Sequence, residues 1–243
     1  RHFLTFSGNT TLFRPVGLLM KLIVKNKADW AQAKAYILSS HVHAVDTETC
    51  PSTAVIDTPA ETFGALRHDA TMLGLSMSMD EESGIYIPYT IHADNKPFLP
   101  QDLHDEIQSF LKMVFEEKTY LLFDTQVAAH ELDENRSLGL KPLCVENFGV
   151  DSDAEKREMI AWCSANGVKF SMGRLDLLPL DIYGAYAIQD TILTFKLYNL
   201  FIKQLHERGL LKRFSHKMSM LPVYLELGST GWCIDQKILD DNS

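Results

Sequence analysis

The sequence lacks the features that mark membrane, secreted and zinc-binding proteins. No run of about 18 uncharged apolar residues occurs, so we expect no membrane span. The first residues show no apolar stretch followed by a small-residue cleavage site, so we expect no secretory signal. Only four cysteines occur in 243 residues, and no two form a Cys-x-x-Cys pair. This spacing argues against a disulfide scaffold or a zinc knuckle and favours a reducing compartment.

Positive charge is also scarce. Lys and Arg number 23 against 32 for Asp and Glu, which gives a formal net charge of −9. A protein that binds nucleic acid broadly and without sequence preference needs a basic face, and this balance argues against one. An enzyme that reaches nucleic acid through bound metal ions is still compatible with the charge. The hydrophobic fraction of 46% predicts a folded globular chain rather than a disordered one.

The order of strand-like and helix-like segments predicts the fold class. In the first 90 residues, alternating or β-branched apolar residues favour strands, and a Gly-containing turn joins the last two as a hairpin. Helical spacing dominates the rest, including one long helix at 179–211 and a last helix at 215–228. Because strands come first and helices later, we predict an α/β or α+β protein with one mixed sheet flanked by helices. The predicted strands lie at 20–25, 41–49, 71–79 and 85–89.

Two carboxylates occupy alternate positions on the second predicted strand. Asp46 and Glu48 follow the apolar residues Val42, Ala44 and Val45. Alternate strand residues point to the same side of a sheet, so both carboxylates project together. Their mutual repulsion favours a hard divalent cation between them. A strand end that passes into a solvated loop is the alternative interpretation of this very short motif.

A tyrosine and an aspartate lie four residues apart on the long predicted helix. Tyr186 and Asp190 therefore share one helix face. The carboxylate is suited to completing a metal site begun by Asp46 and Glu48. The phenol is suited to positioning an attacking water and to helping deprotonate it. Taken alone, the pair is more typical of a core tyrosine beside a surface aspartate.

Together, Asp-x-Glu on the first long strand and Tyr-x-x-x-Asp on a late helix resemble the tyrosine subclass of the DEDD 3′–5′ exonuclease family. The resemblance implies a ribonuclease H-like fold and a two-ion site for Mg²⁺ or Mn²⁺. Asp46, Glu48 and Asp190 would be the metal ligands, and Tyr186 would be a further catalytic residue. In such sites two ions lie about 3.5–4 Å apart and clamp the attacking and leaving oxygens of the scissile phosphate. A protein with net negative charge could in this way still process a polyanion.

A longer match narrows the resemblance to the proofreading domains of family A DNA polymerases, particularly phage-like ones. Residues 123–143 are similar to the region after their second motif, and residues 186–197 are similar to their third motif. Residues 221–235 are similar to the junction where the polymerase region begins. The mixed composition of the first residues predicts a loosely organised leader at 1–19. The resemblance, which extends from about residue 22 to the C-terminus, implies an exonuclease domain at 20–214 and the start of a polymerase junction at 215–243.

The family's second motif, an asparagine followed shortly by an aromatic residue and an aspartate, has no counterpart here. It should lie between a predicted helix at 100–117 and a short strand at 121–123, but residues 118–120 connect the two directly. Asp124 is a candidate substitute for the missing carboxylate, although capping of the helix at 127–132 is the favoured role. We therefore expect a weakened second ion and low activity.

The resemblance also implies a function and partners. The expected activity is removal of nucleotides from frayed, single-stranded DNA 3′ ends, as proofreading in DNA replication. We expect a cytoplasmic location in a bacterial or phage-infected cell, a DNA polymerase region in the parent chain, and no membrane partner. Two alternatives stay open. One is an inactive or weakly active exonuclease-fold module that supports a polymerase or binds DNA, and the less favoured one is an RNA exonuclease of the ribonuclease D type.

Overall fold

The structure, a computed structural model, describes residues 3–6, 20–51, 70–91, 96–116 and 122–231. Most of the predicted leader and the junction segment 118–120 lie outside these described residues. So do residues 232–235 of the stretch that is similar to the polymerase junction.

Helices and strands follow the predicted order along the chain. The strands are Phe3–Phe6 (β1), Lys21–Ile23 (β2), Val42–Pro51 (β3), Ala70–Ser78 (β4), Gly84–Pro88 (β5), Thr90–Ile91 (β6), Lys96–Pro97 (β7) and Phe123–Asp124 (β8). The helices are Lys27–Leu38 (α1), Gln101–Glu116 (α2), Thr125–Leu132 (α3), Leu140–Phe148 (α4), Ala154–Ala165 (α5), Leu180–Glu207 (α6), Leu211–Ser219 (α7) and Leu221–Thr230 (α8), with a 3₁₀-helix at Met172–Leu177. Within the described ranges, no helix combines the length and the apolar composition needed to cross a bilayer.

One mixed sheet organises the fold. Its strands lie in the order β2-β5-β4-β3-β1-β8. β2 pairs with β5 in parallel, whereas the other neighbouring strands are antiparallel, including the predicted β4–β5 hairpin. The short strands β6 and β7 pair separately. Because helices cover both faces of this sheet, the structure confirms the predicted α/β class with a mixed sheet flanked by helices.

Side-chain alternation on β5 divides the core between the two faces of the sheet. Ile85 and Ile87 pack with Trp30 of α1 on one face, which α2 also covers. Tyr86, which lies between them, packs on the opposite face against α6, where its ring meets that of Tyr183 edge to face at 5.6 Å. The period of two along a strand thus decides which residues face α6.

A further strand lies inside the segment expected to be a loosely organised leader. β1 pairs antiparallel with β3 on one side and with β8 on the other, and Phe3 lies opposite both Val45 and Asp124. The edge of β3 carries backbone N–H and C=O groups that need partners, and β1 provides them. As a result, β8 is one strand removed from β3. The domain limits near residues 20 and 215 stay a prediction.

The C-terminal region differs from the single helix expected at 215–228. That prediction is wrong, because the region forms two helices, α7 and α8, which meet at Met220. Pro222 lies in the first turn of α8, where a missing N–H is tolerated; inside a continuous helix it would remove a hydrogen bond. The long predicted helix is confirmed as α6, which ends at Glu207 before Gly209 adopts a positive φ of 67°.

A β-bulge shapes the pairing of β3 with β4. Glu48 lies opposite Gly74, but Thr49 lies opposite Met72, so Leu73 is an extra residue on β4. The extra residue shifts the alternation, and Leu73 packs in the core on the α6 side of the sheet. The bulge therefore lies beside one of the predicted site residues.

Gly74→Ala should destabilise the protein, because a Cβ at this position would overlap the Tyr86 ring and lie 2.7 Å from the carbonyl oxygen of Ile87. We expect the free energy of unfolding, measured by urea denaturation, to fall by about 1–3 kcal/mol, as in other overpacked cores. Gly184→Ala is the matched control, because its Cβ would first meet the flexible end of Ile23 at 2.8 Å. Equal losses in the two variants would contradict this explanation.

Candidate active site

The paired carboxylates of β3 lie inside the protein. Ala44 packs with Leu193 of α6, so the alternating residues Asp46 and Glu48 face the same helix. Asp46 is 7% exposed and Glu48 is 8% exposed. The alternative of a strand end that passes into a solvated loop is wrong, because β3 continues to Pro51 and both side chains are buried.

Helix α6 brings the second predicted pair to this strand. Asp190 is 4% exposed, and Tyr186 lies half-buried one turn before it. Since Asp190 is buried, the alternative of a surface aspartate beside a core tyrosine is wrong. The helix thus presents a buried carboxylate and a phenol on the face that packs against the sheet.

The charges of Asp46 and Asp190 both act on Glu48, which indicates that the three carboxylates lie near one another. Burial raises the pKa of Glu48 well above its usual range, and the negative charges of Asp46 and Asp190 raise it further. Burial also raises the pKa of Asp46, to about 6, while the Lys141 ammonium lowers it. The fold therefore gathers Asp46, Glu48 and Asp190 from distant parts of the sequence into one buried acidic cluster.

A lysine lies against this acidic cluster. Lys141, in the first turn of α4, forms an ion pair with Asp190, and its Nζ lies 4.8 Å from the centroid of the Tyr186 ring. Sequence patterns do not single out Lys141, because a lone lysine in a short helix forms no motif. The available signal was its position within residues 123–143, the segment that is similar to polymerase proofreading domains.

Tyr186 is suited to donating a hydrogen bond rather than to accepting a proton. Burial raises the pKa of its phenol above the usual range, and the charges of Asp190 and Glu48 raise it further. The phenol therefore stays protonated at neutral pH, and its Oη is able to donate to a nearby oxygen. Of the two roles expected for Tyr186, this protonation state favours positioning of a water over its deprotonation.

Asp124 caps a helix and lies away from the acidic cluster. One of its carboxylate oxygens, Oδ1, accepts hydrogen bonds from the backbone N–H groups of Gln126 and Val127, at 2.8 and 3.0 Å, and thereby caps α3. β1 lies between β8 and β3, and so separates Asp124 from Asp46. The capping role favoured by the sequence is confirmed, and the arrangement gives no support to Asp124 as a substitute metal ligand.

Hard divalent cations fit the donor chemistry of the acidic cluster. Carboxylate oxygens are the ligands that Mg²⁺ and Mn²⁺ prefer. In the part of the chain that the structure describes, however, no group of three or more His, Cys, Asp or Glu side chains is arranged so that it could hold a metal ion as it stands. The residues therefore match a divalent ion in kind, while the Lys141 ammonium is the cation seen against Asp190.

Metal-free protein should lose stability as the pH rises. Asp46 and Glu48 keep their protons to higher pH in the folded chain than in the unfolded chain, so the folded state binds more protons. Their contribution to stability is complete below about pH 4, the usual carboxyl range. It is lost as the pH rises through about 6 for Asp46 and through a higher value for Glu48.

With a chelator present, we expect the melting temperature at about pH 8 to lie about 5 °C or more below that at about pH 5. The double variant Asp46→Asn/Glu48→Gln is the control and should lose most of this difference, because its side chains do not ionise. A difference that persists unchanged in the double variant would assign the pH dependence to other groups.

The curated relatives of the chain are DNA polymerases. The chain is 26% identical over 172 residues to the DNA polymerase of Escherichia phage T5, which covers 61% of this chain and 20% of that protein. It is 23% identical over 239 residues to DNA polymerase I of Borreliella burgdorferi, which covers 88% of this chain and 25% of that protein. The chain thus spans a quarter or less of the length of these relatives.

Solved structures with a similar fold are nucleases. NrnC of Brucella melitensis with bound Mg²⁺ has a TM-score of 0.51 and 17% identity, over 88% of this chain and 93% of that chain. NrnC of the same organism bound to pGG has a TM-score of 0.51 and 18% identity over the same shares. This likeness concerns the fold, and it confirms the ribonuclease H-like exonuclease fold expected from the resemblance.

The family of the chain follows from its match to a family model. The model described as 3′–5′ exonuclease matches residues 22–206, well over half of the chain. That span includes Asp46, Glu48, Tyr186 and Asp190 as well as Lys141. The chain therefore belongs to the 3′–5′ exonuclease family and is homologous to family A DNA polymerases.

Proposed function

We propose that the chain acts as a proofreading exonuclease, which removes nucleotides from DNA 3′ ends by metal-dependent hydrolysis of the phosphodiester bond. One observation carries this proposal. Two carboxylates of β3 and one of α6 form a buried acidic cluster beside a protonated tyrosine, in a chain of the 3′–5′ exonuclease family. Burial of negative charge is costly without a cation, so a cluster of this kind is suited to holding one.

Asp46, Glu48 and Asp190 would hold Mg²⁺ or Mn²⁺ in the active protein. Such ions, when bound, neutralise charge on the scissile phosphate and activate the attacking water. The raised pKa values of Asp46 and Glu48 and the proposed affinity for a metal ion have one cause. In both cases, burial makes a negative charge costly, and a bound proton or a bound cation relieves that cost. In the two-ion scheme of the family, the absence of the second motif leaves one carboxylate position unfilled and the second ion weakly held.

Tyr186 would orient the attacking water. Its phenol keeps its proton, so its Oη would donate a hydrogen bond to the oxygen of the water and fix the direction of attack. Helix α6 holds Tyr186 and Asp190 one turn apart, so the water and the metal ligand are positioned by the same rigid element.

The proposed substrate is a single-stranded DNA 3′ end. The relatives of the chain are DNA polymerases. The proofreading role that the resemblance implies would act on a frayed, unpaired 3′ end. Because the chain spans a quarter or less of their length, a polymerase region in the parent protein and a role in DNA replication belong to the proposal as well. So does a location in the cytoplasm of a bacterial or phage-infected cell.

A second candidate function is an exonuclease-fold module with little or no activity. It is supported by the missing second motif and by the finding that, among the described side chains, no group of three or more His, Cys, Asp or Glu is arranged to hold a metal ion. Such a module would support a polymerase body or bind DNA without cutting it. It would show no Mn²⁺-dependent increase in melting temperature, whereas an active site that binds metal stabilises the folded state by mass action.

Asp46→Asn should abolish degradation of a 5′-labelled single-stranded DNA in the presence of Mg²⁺ or Mn²⁺, because it removes a negatively charged ligand. Asp124→Asn is the matched control: the asparagine still caps α3, and we expect activity within about twofold of wild type. Products are followed by denaturing gel electrophoresis. Equal degradation by wild type and Asp46→Asn would end the assignment of this site, and faster degradation of a matched RNA would favour the RNA exonuclease alternative.

Tyr186→Phe should lower kcat by about tenfold to a hundredfold with little change in KM, because it removes a hydrogen bond that orients the water. Since the phenol stays protonated, the pH–rate profiles of wild type and variant should have the same shape. Single-turnover rates measured from about pH 6 to about pH 9 check this expectation. Loss of a basic limb in the variant would instead identify the phenol as a proton acceptor.

A further inference from the structure

Lys141 is held in place by the core rather than extended into solvent. Helix α4 begins at Leu140, and Leu140, Leu143 and Cys144 are buried in the core that α4 shares with α3 and α6. Ser152 donates a hydrogen bond to the Lys141 carbonyl oxygen at 3.4 Å. The helix therefore fixes the backbone from which the Lys141 side chain reaches the acidic cluster.

The Lys141 ammonium contacts the acidic cluster directly. Its Nζ donates to the Asp190 Oδ1, lies over the Tyr186 ring, and lowers the pKa of Asp46 electrostatically. The lysine side chain is only 18% exposed and the Asp190 side chain only 5%. A cation held this far from solvent, between a carboxylate and an aromatic face, is poorly screened by salt.

Lys141 adds positive charge at the place that a second divalent ion would have to approach. Its Nζ donates to Asp190, one of the three proposed metal ligands, and lies against the Tyr186 ring. A divalent ion placed beside this ammonium would be repelled at close range. The sequence also has no counterpart of the second motif, which would supply a further carboxylate.

We infer that Lys141 serves as a built-in cation that takes the place of the second divalent ion, so that the site binds a single Mg²⁺ or Mn²⁺. This inference rests on the proposed function, because it assigns a role to Lys141 in the same site. Lys141 is a positioning residue: it holds Asp190 and supplies a fixed positive charge near the bound phosphate. The positive charge of the buried lysine would then replace the second ion that the missing second motif would otherwise help to bind.

Calorimetric titration and thermal melting of the full chain test this inference. Wild type should bind one Mn²⁺ per chain. In chelator, Lys141→Met should melt about 5 °C or more below wild type, because buried Asp190 loses its ion-pair partner and Asp46 and Glu48 lose a nearby positive charge. The same variant should bind Mn²⁺ about tenfold or more tightly than wild type, because a repelling positive charge is gone. A lysine with a purely structural role would lower the melting temperature without tightening the binding of metal.

Two further variants serve as controls. Lys203→Met removes an exposed lysine of α6 and should change neither the melting temperature nor the binding of Mn²⁺. Lys141→Arg keeps the positive charge and should restore wild-type Mn²⁺ affinity. Two Mn²⁺ ions bound to wild type, or unchanged affinity in Lys141→Met, would overturn the inference and leave the proposed function intact. No Mn²⁺ binding by either protein would overturn both.

Discussion

Buried negative charge is the constraint on which the site depends. Asp46, Glu48 and Asp190 lie in the interior, where the charges of the two aspartates raise the pKa of Glu48. Such a cluster persists in a folded protein only if cations or bound protons offset the charge. In this chain the Lys141 ammonium offsets part of the charge, and the raised pKa values of Asp46 and Glu48 indicate that ionising them stays costly. The proposed divalent ion would reduce this cost.

The fold produces this cluster through ordinary packing rules. The alternation of β3 directs Asp46 and Glu48 towards α6, and the four-residue spacing on α6 directs Tyr186 and Asp190 towards β3. Apolar contacts on both faces of the sheet hold β3 and α6 in fixed positions relative to each other. The acidic net charge of the chain is compatible with a nucleic-acid substrate if cations bound at the acidic cluster attract the phosphate. A basic surface would then not be needed.

The sheet shows how the chain is built without the second motif of its family. β1 lies between β3 and β8, so the backbone groups of β3 are paired on both sides. β8 then carries Asp124 one strand away from the acidic cluster, where its carboxylate caps α3. The architecture of the family is therefore kept in the described residues, while the set of charged groups around the site differs from the family pattern.

The sequence by itself determined the class of fold and the order of the elements, because hydrophobic period is a local property. It singled out Asp46, Glu48, Tyr186 and Asp190 as candidates through spacing on one element together with a family resemblance. It also favoured the capping role of Asp124, since a cap acts within one helical turn. Only the tertiary structure decided that the carboxylates are buried together, that β1 joins the sheet and that Lys141 reaches Asp190. These features depend on contacts between segments far apart in the chain, and no periodicity or short motif records which distant charge a folded helix will meet.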